Sequence, residues 1–296
     1  TAQRELPGVQ IYQYEDLLGF LPTLANLLKD YQVIGLNYNG IPHAGYLALK
    51  TLVTQHPASH ELVDLSAELT AARLIKTKAE IEKIRNACEI SSHVTNEIPT
   101  YDHTDEKTVA AQIEFNMRKQ GGTAQAFSTI VAIGPNSAYP HYTTGDRPAK
   151  SGELLLTDFG AEYVRYKADI TRTFIYEHTD AKAQHLYEVV LQAQREALDS
   201  IYAGVAAKDV DAVARNIINN QYPDRFTHGL GHGLGLELGE GGSLSPSSDL
   251  LLEEGMVFTI EPGIYLRDYG GVRIEDDVVV TKDGVELLTS AKKEEL

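Results

Sequence analysis

The chain has 296 residues, 43% of them hydrophobic, enough for one large core or for two domains. Its 42 acidic against 26 basic side chains give a net charge of −16 with no Lys/Arg stripe, which argues against nucleic acid as a partner and suits a site that collects cations. One cysteine, Cys88, excludes an internal disulfide, no apolar run approaches the roughly 20 residues of a membrane span, and TAQRELPGVQ lacks the apolar core of a signal peptide, so cytoplasm is the expected compartment.

Residues 1–70 read as a short α/β region. Asp16 to Tyr31 has helical spacing in Leu17, Leu21, Leu24, Leu27 and Leu28, with Pro22 inside it. Gln32 to Tyr38 reads as a strand, Ile41 to Val53 as a second helix, Thr54 to Glu61 as polar chain and Leu62 to Leu65 as a last strand. This is a thin inventory for an independent domain, so the region is expected to lean on the rest of the chain or on another subunit. Thr1 is not an initiator Met, which points to a processed or truncated start.

The second region, 71–296, begins with a capping-box pattern, Thr77-Lys78-Ala79-Glu80, ahead of Ile81, Ile84, Cys88 and Val94 at helical spacing. Cys88 therefore reads as a core residue. A helix follows from Glu106 to Gln120, with Val109, Ile113 and Met117 on one stripe and Gly121-Gly122 as its stop. Phe127 to Ile133 reads as a strand leading into the turn-rich GPNSAYPHYTTGDRP, which carries His141. Leu154 to Phe174 then reads as a hairpin. With its turn centred between Tyr163 and Val164, Asp158 and Asp169 would face each other with Cβ atoms about 5 Å apart. Two such carboxylates repel unless they share a proton or hold cations. Paired divalent ions sit about 3.5–4 Å apart, which fits that gap. The plainer alternative is a surface hairpin with two solvated Asp.

The pattern then recurs. Asp180 to Tyr202 is a long amphipathic helix ending near Gly204, and Val210 to Asn219 a shorter one with Val210, Val213 and Ile217 in line. A segment carrying His228 and His232 leads to two further strands, FTIEPGIYL and GGVRIEDDVVVT. Helix, helix, His loop and carboxylate-bearing strands occur twice, which suggests an internal pseudo-repeat with a site between its halves. In His228-Gly-Leu-Gly-His232-Gly-Leu-Gly the glycines make a regular helix costly and suit close backbone approach. Glu261 alternates with Phe258 and Ile260, and Pro262-Gly263 ends its strand. Arg273 and Glu275 share one face, Val272 and Ile274 the other. An amphipathic hairpin with a solvent-facing polar side would look the same. Asp158, Asp169, His232, Glu261 and Glu275 together form an oxygen-rich set suited to Mn²⁺, with Zn²⁺ or Co²⁺ also fitting. Such ions lower the pKa of water and polarise a carbonyl, so the implied reaction class is hydrolysis.

In this order the motifs DFG…D-x-T-R-T, HGxGHGxG, TIEPGIY and GVRIED resemble the proline-specific branch of the pita-bread metallopeptidases, prolidase (Xaa-Pro dipeptidase) and Xaa-Pro aminopeptidase. The match covers about residues 75–290. The resemblance implies an α+β pita-bread catalytic domain over 71–296 behind an N-terminal α/β region that is shorter than usual. It implies two divalent ions on Asp158, Asp169, His232, Glu261 and Glu275, with Asp169 and Glu275 bridging them. It places His141 near the scissile bond, His228 four before the metal His, and Arg273 as the Arg of GxRIE. The implied substrate is a peptide with proline at its second position, cleaved by a metal-bridging hydroxide with Glu261 also shuttling a proton. Many relatives are homodimers. One departure stands out: Gly239 occupies the place of a second active-site His, and no Arg follows before Arg267. A pita-bread binding protein with weak or no turnover is the alternative this departure favours. Methionine aminopeptidase and a creatinase-like hydrolase fit the motifs less well.

Overall fold

The computed structural model describes residues 8–14, 17–54, 60–101, 104–176 and 180–293. The chain divides into two compact units, Thr1–Ala72 and Arg73–Leu296.

In the first unit, α1 (Leu17–Leu28) carries Pro22 without ending, and α2 (His43–Thr54) follows β1 (Val33–Leu36). Asp16 lies outside the described residues, as do 55–59 of the polar stretch. β1 pairs in parallel with β2 (Glu61–Asp64), the arrangement that a helical crossover imposes. Ile34, Leu49 and Val53 form the small core under α1 and α2. A helix that the sequence reading did not place, α3 (Ser66–Leu74), follows directly. Asp64 Oδ1 accepts from the Ser66 N–H at 2.9 Å, a local bond of the kind that turns a chain into a helix.

In the second unit the Thr77 hydroxyl accepts from the Glu80 N–H at 3.3 Å while Glu80 accepts back from the Thr77 N–H at 2.8 Å. That reciprocal cap opens α4 (Lys78–Glu97), and the Asp105 carboxylate caps α5 (Glu106–Lys119) through the Thr108 N–H. Val109, Ile113 and Met117 all point into the core, as their spacing predicted. Two short strands, β3 (Ala124–Gln125) and β4 (Ile130–Ile133), precede the hairpin. The hairpin comprises β5 (Leu154–Phe159), β6 (Ala161–Tyr163), β7 (Tyr166–Lys167) and β8 (Ile170–Ile175). A second helix pair, α6 (Ala181–Asp199) and α7 (Ala207–Gln221), packs its apolar stripe on the second set of strands. These are β9 (Gly231–Leu234), β10 (Leu238–Leu244), β11 (Val257–Ile260), β12 (Gly263–Leu266), β13 (Gly270–Arg273), β14 (Asp276–Val280) and β15 (Val285–Leu287). Five of them form one sheet in the order β10-β9-β11-β14-β15, while β4, β5 and β8 form another.

Two sequence expectations change. The hairpin turns one position later than expected, at Val164-Arg165, so Tyr163 pairs with Tyr166 and Asp158 faces Thr171 rather than Asp169. Both turn residues take positive φ, 49° and 73°, the geometry whose twist matches a two-residue hairpin. The last two strands are also not solvated on one side: Arg273 and Glu275 are 3% and 2% exposed, so the polar face looks inward. The strand pair keeps one continuous register but is interrupted at Glu261-Pro262 opposite Ile274-Glu275.

A β-branched residue with positive φ costs about 1–2 kcal/mol, and Val164 is exposed, so nothing packs in return. Val164→Asn with Arg165→Gly is expected to raise the thermal midpoint of this unit by about 2–4 °C, read by calorimetry. An unchanged or lower midpoint would show that the turn is not strained.

Candidate metal centre

The interruptions in the strands carry the chemistry. Asp158 lies one residue from the end of β5, Asp169 in the gap between β7 and β8, Glu261 just after β11 and Glu275 just before β14. Asp169, Glu261 and Glu275 thus lie outside ladder pairing, so their side chains can be aimed by the chain's change of direction, whereas Asp158 stays paired with Ile130 and Thr171. His232 is in β9, which runs between β10 and β11. A Cβ on Gly231 would lie 1.8 Å from the Thr259 carbonyl oxygen and one on Gly233 1.8 Å from that of Glu240. Glycines around His232 are therefore a condition for seating this strand between its neighbours.

All eight residues singled out in the sequence line one cavity of about 410 Å³: His141, Asp158, Asp169, His228, His232, Glu261, Arg273 and Glu275. Phe127, Ile130, Pro140 and Leu238 form its apolar wall. Asp169, His232 and Glu275 each offer a ligand atom within 4.8 Å of the others. His232 Nε2 lies 3.5 Å from Asp169 Oδ2 and 3.7 Å from Glu261 Oε1. Its Nδ1 donates to the Gly233 carbonyl at 3.1 Å, which leaves Nε2 facing the carboxylates. Glu275 accepts from the Thr171 hydroxyl at 2.5 Å, and Glu261 from that of Thr259 at 3.2 Å. Asp158 Oδ2 accepts from Arg273 Nη2 at 2.5 Å, but its Oδ1 is buried with no hydrogen-bond partner.

The electrostatics describe a centre short of positive charge. Burial, then the Glu275 charge, raises Asp169 well above the usual carboxylate range, and burial followed by Glu261 and Asp158 does the same to Glu275. Burial also raises Glu261. Burial opposes charge on His232, yet the hydrogen bond and charge of Asp169 push it up to about 10. Protons are held where cations would otherwise sit. The bare Asp158 oxygen and the donor set of four carboxylates and one imidazole fit divalent cations that take oxygen and nitrogen ligands.

The other histidines behave differently. Burial, then Arg273, lowers His228 to about 3, so it is neutral. Its Nδ1–H donates to the Gly229 carbonyl at 2.8 Å and its Nε2 accepts from the Tyr265 hydroxyl at 2.7 Å. The Tyr265 oxygen accepts in turn from Arg273 Nη1 at 2.9 Å, and Arg273 Nε donates to Thr171 at 3.0 Å. A continuous chain thus runs from His228 through Tyr265 and Arg273 to Asp158. Both His228 nitrogens are engaged in it, which leaves none free to hold a substrate. The sequence reading missed Tyr265, Thr171 and Thr259. The only local signal was their even spacing from Gly263, Asp169 and Glu261 along each strand. His141, by contrast, stands exposed on the cavity rim.

Gly239 has φ +76° and a Cβ there would meet nothing within 4 Å. It is exposed and does not line the cavity, whereas Leu238 and Ser243 do. Its neighbour Glu240 is buried between Arg73, at 2.5 Å, and Lys76, at 3.0 Å. Arg267 is exposed and outside the cavity wall, and Arg273 is committed to its three partners.

Fold and centre together define a pita-bread protein with a carboxylate–histidine cluster suited to a metal ion. Residues 82–282 match the model of metallopeptidase family M24, and the chain belongs to that family. It is 44% identical over 227 residues to a Xaa-Pro dipeptidase of Pyrococcus furiosus, covering 75% of this chain and 65%, less than two thirds, of that protein. Among solved structures it resembles a Xaa-Pro dipeptidase from Bacillus anthracis at TM-score 0.92 and 36% identity, covering 99% of this chain and 82% of that one. It also resembles an X-Pro aminopeptidase from Thermotoga maritima at TM-score 0.88 and 36% identity, covering 97% and 81%. The resemblance to the proline-specific branch is borne out by these relatives, and the α+β pita-bread fold by the structures.

The pKa directions set a pH dependence. His232, raised to about 10, contributes stability that is complete below its unfolded value near 6.5 and lost as pH rises towards 10. The raised carboxylates act with the same sign, because their ionisation is harder in the folded chain. The chelator-treated protein is expected to lose thermal stability between about pH 7 and 10, with Mn²⁺ flattening the fall and releasing protons on binding. Calorimetric titration in buffers of different ionisation enthalpy measures that release; binding without proton release would refute the assignment.

Proposed function

We propose that this chain hydrolyses Xaa-Pro peptide bonds. The observation that carries the reading is the Asp169–His232–Glu275 cluster, its carboxylates buried and its imidazole partly so, lining a cavity of about 410 Å³. The names of the relatives, Xaa-Pro dipeptidase and X-Pro aminopeptidase, support the substrate class. Asp158, Asp169, His232, Glu261 and Glu275 would hold two divalent ions, Mn²⁺ or else Co²⁺ or Zn²⁺, which supply a water of lowered pKa and an electrophile for the scissile carbonyl. Around them the chain's own groups have distinct tasks. Thr171, Thr259 and Arg273 hold Glu275, Glu261 and Asp158 in fixed directions. Glu261 Oε1 is tied to Thr259, and the upward shift of its carboxyl suits a group that takes a proton from water and returns it to the leaving nitrogen. His141 has the exposure needed to meet the substrate as it enters. The wall of Phe127, Ile130, Pro140 and Leu238 suits a pyrrolidine ring and excludes water. Dipeptides and longer peptides are both within this reading, as is a homodimer in the cytoplasm.

A second reading, a binding protein with weak turnover, is favoured by Gly239. Metal content and cleavage of Xaa-Pro dipeptides and Xaa-Pro-Yaa tripeptides, with and without Mn²⁺, Co²⁺ or Zn²⁺, separate the two. Metal-dependent cleavage is expected, with Asp169→Asn lowering kcat by 10³-fold or more, on the order of the loss from removing a central catalytic group. Two bound metals without turnover would support the binding protein instead. Gly239→His is expected to destabilise by about 1–2 kcal/mol without raising kcat, because the site demands positive φ and offers the ring no neighbour. A gain in kcat would show that the missing His limits the reaction.

A further inference from the structure

Glu106 opens α5 and is completely buried, an unusual place for a carboxylate. Every group bonded to it is a donor. Oε1 accepts from the Ile133 N–H at 2.8 Å and from Asn136 Nδ2 at 2.8 Å. Oε2 accepts from the Tyr142 hydroxyl at 2.9 Å and from the Gly145 N–H at 3.0 Å. All four donors come from one segment, the loop from the end of β4 to Gly145, and they flank His141 on both sides. Asn136 Nδ2 also donates to the Tyr142 oxygen at 2.8 Å, which closes a ring of bonds around the residue next to His141. Burial, then Glu106, pushes the Tyr142 phenol up to about 12, so it stays a donor. The loop has independent anchors at its base: Thr144 donates to the Thr129 carbonyl at 2.8 Å, and Ser137 accepts from the Gly271 N–H at 2.8 Å. Of the four donors Tyr142 lies between these anchors, beside Pro140 and His141 where the loop meets the cavity, while Ile133 and Asn136 precede them and Gly145 follows.

We infer that Glu106 is a positioning residue for His141, fixing through four hydrogen bonds the loop that presents this imidazole at the rim of the cavity. The inference rests on the Xaa-Pro hydrolase reading for its kinetic consequence, but not for its structural one. A buried carboxylate meets this geometry and an amide does not. In Glu106→Gln the NH₂ group faces two donors whichever way it is turned, so one side of the loop must move.

The test combines a double-mutant cycle with ¹⁵N-histidine NMR of the full chain. Glu106→Gln is expected to lower kcat/KM on an Xaa-Pro-Yaa tripeptide on the order of 10- to 10²-fold, with Mn²⁺ content unchanged. In a His141→Ala background the same change should cost under about twofold, because the residue being positioned is gone. The ring resonances of His141, identified by their loss in His141→Ala, should shift or broaden in Glu106→Gln while those of His228 and His232 stay in place. Tyr142→Phe removes one of the four bonds with little change of volume, so it serves where Glu106→Gln does not fold and should give the same pattern at smaller size. Equal losses in both backgrounds, or an unmoved His141 resonance, would overturn the inference and leave Glu106 a purely structural residue. A wild-type chain that cleaves no Xaa-Pro peptide would remove the hydrolase reading, while the NMR comparison would still decide whether Glu106 sets His141.

Discussion

The structure is governed by the repulsion among carboxylates drawn into one small cavity. Asp158, Asp169, Glu261 and Glu275 share it with three imidazoles, of which His232 lies against Asp169 and Glu261, and the upward shifts of Asp169, Glu261 and Glu275 express the cost. In a buried setting such charges are tolerated only with protons, cations or a dense set of donors. The chain supplies the donors one at a time. Thr171 serves Glu275, Thr259 serves Glu261 and Arg273 serves Asp158, while His232 serves Asp169. Among the four, the buried Asp158 Oδ1 has no hydrogen-bond partner, which suits a cation held there.

That arrangement dictates how the strands are built. Asp158 stays in a ladder between Ile130 and Thr171, but a flat, regular sheet could not bring all four carboxylates together. Instead β5, β7 and β8, and the long pair from β11 to β14, are interrupted beside the acidic residues. The interruptions fall where backbone chemistry favours them: at Gly160, where a Cβ would lie 1.7 Å from the Ala168 oxygen, and at Pro262, which cannot donate to a ladder. The two helix pairs cover the outer faces and bury the large apolar clusters, so the breaks weaken the sheets only where the site needs them.

Behind the acidic residues lies a further layer that sets histidine behaviour. His228 and His232 are four residues apart in a repetitive glycine motif, yet burial beside Arg273 drives one down to about 3 and Asp169 drives the other up to about 10. The difference comes from partners far away in the chain. The Gly229 carbonyl and Tyr265 occupy His228, so it belongs to the scaffold around Asp158, and of the three histidines in the cavity His141 is the exposed one. The role of the GxRIE arginine follows from the same bonds: from β13 its guanidinium reaches Asp158 on β5, Thr171 on β8 and Tyr265 on β12.

The acidic and histidine residues of the site were legible in the chain because their motifs are short and local: a carboxylate next to Pro-Gly, two His among glycines, an Arg two before a Glu. Helix starts were legible for the same reason, since Thr77 and Glu80 cap each other within four residues. The hairpin register was not, because two non-glycine residues, Val164 and Arg165, adopt positive φ with no compositional signal. Gly239 read as a lost side chain, but only its φ of +76° and its open surroundings showed that the backbone there has no place for one. Tyr265 and Glu106 looked like a strand residue and a helix-start residue. Their importance lies in bonds to His228 and to the His141 loop, 37 residues and about as many away along the chain. The sequence by itself determined which side chains could bind cations, because ligand chemistry belongs to the residue. Only the tertiary structure decided their charge, direction and order, because those depend on burial and on partners that distant segments bring within hydrogen-bonding reach.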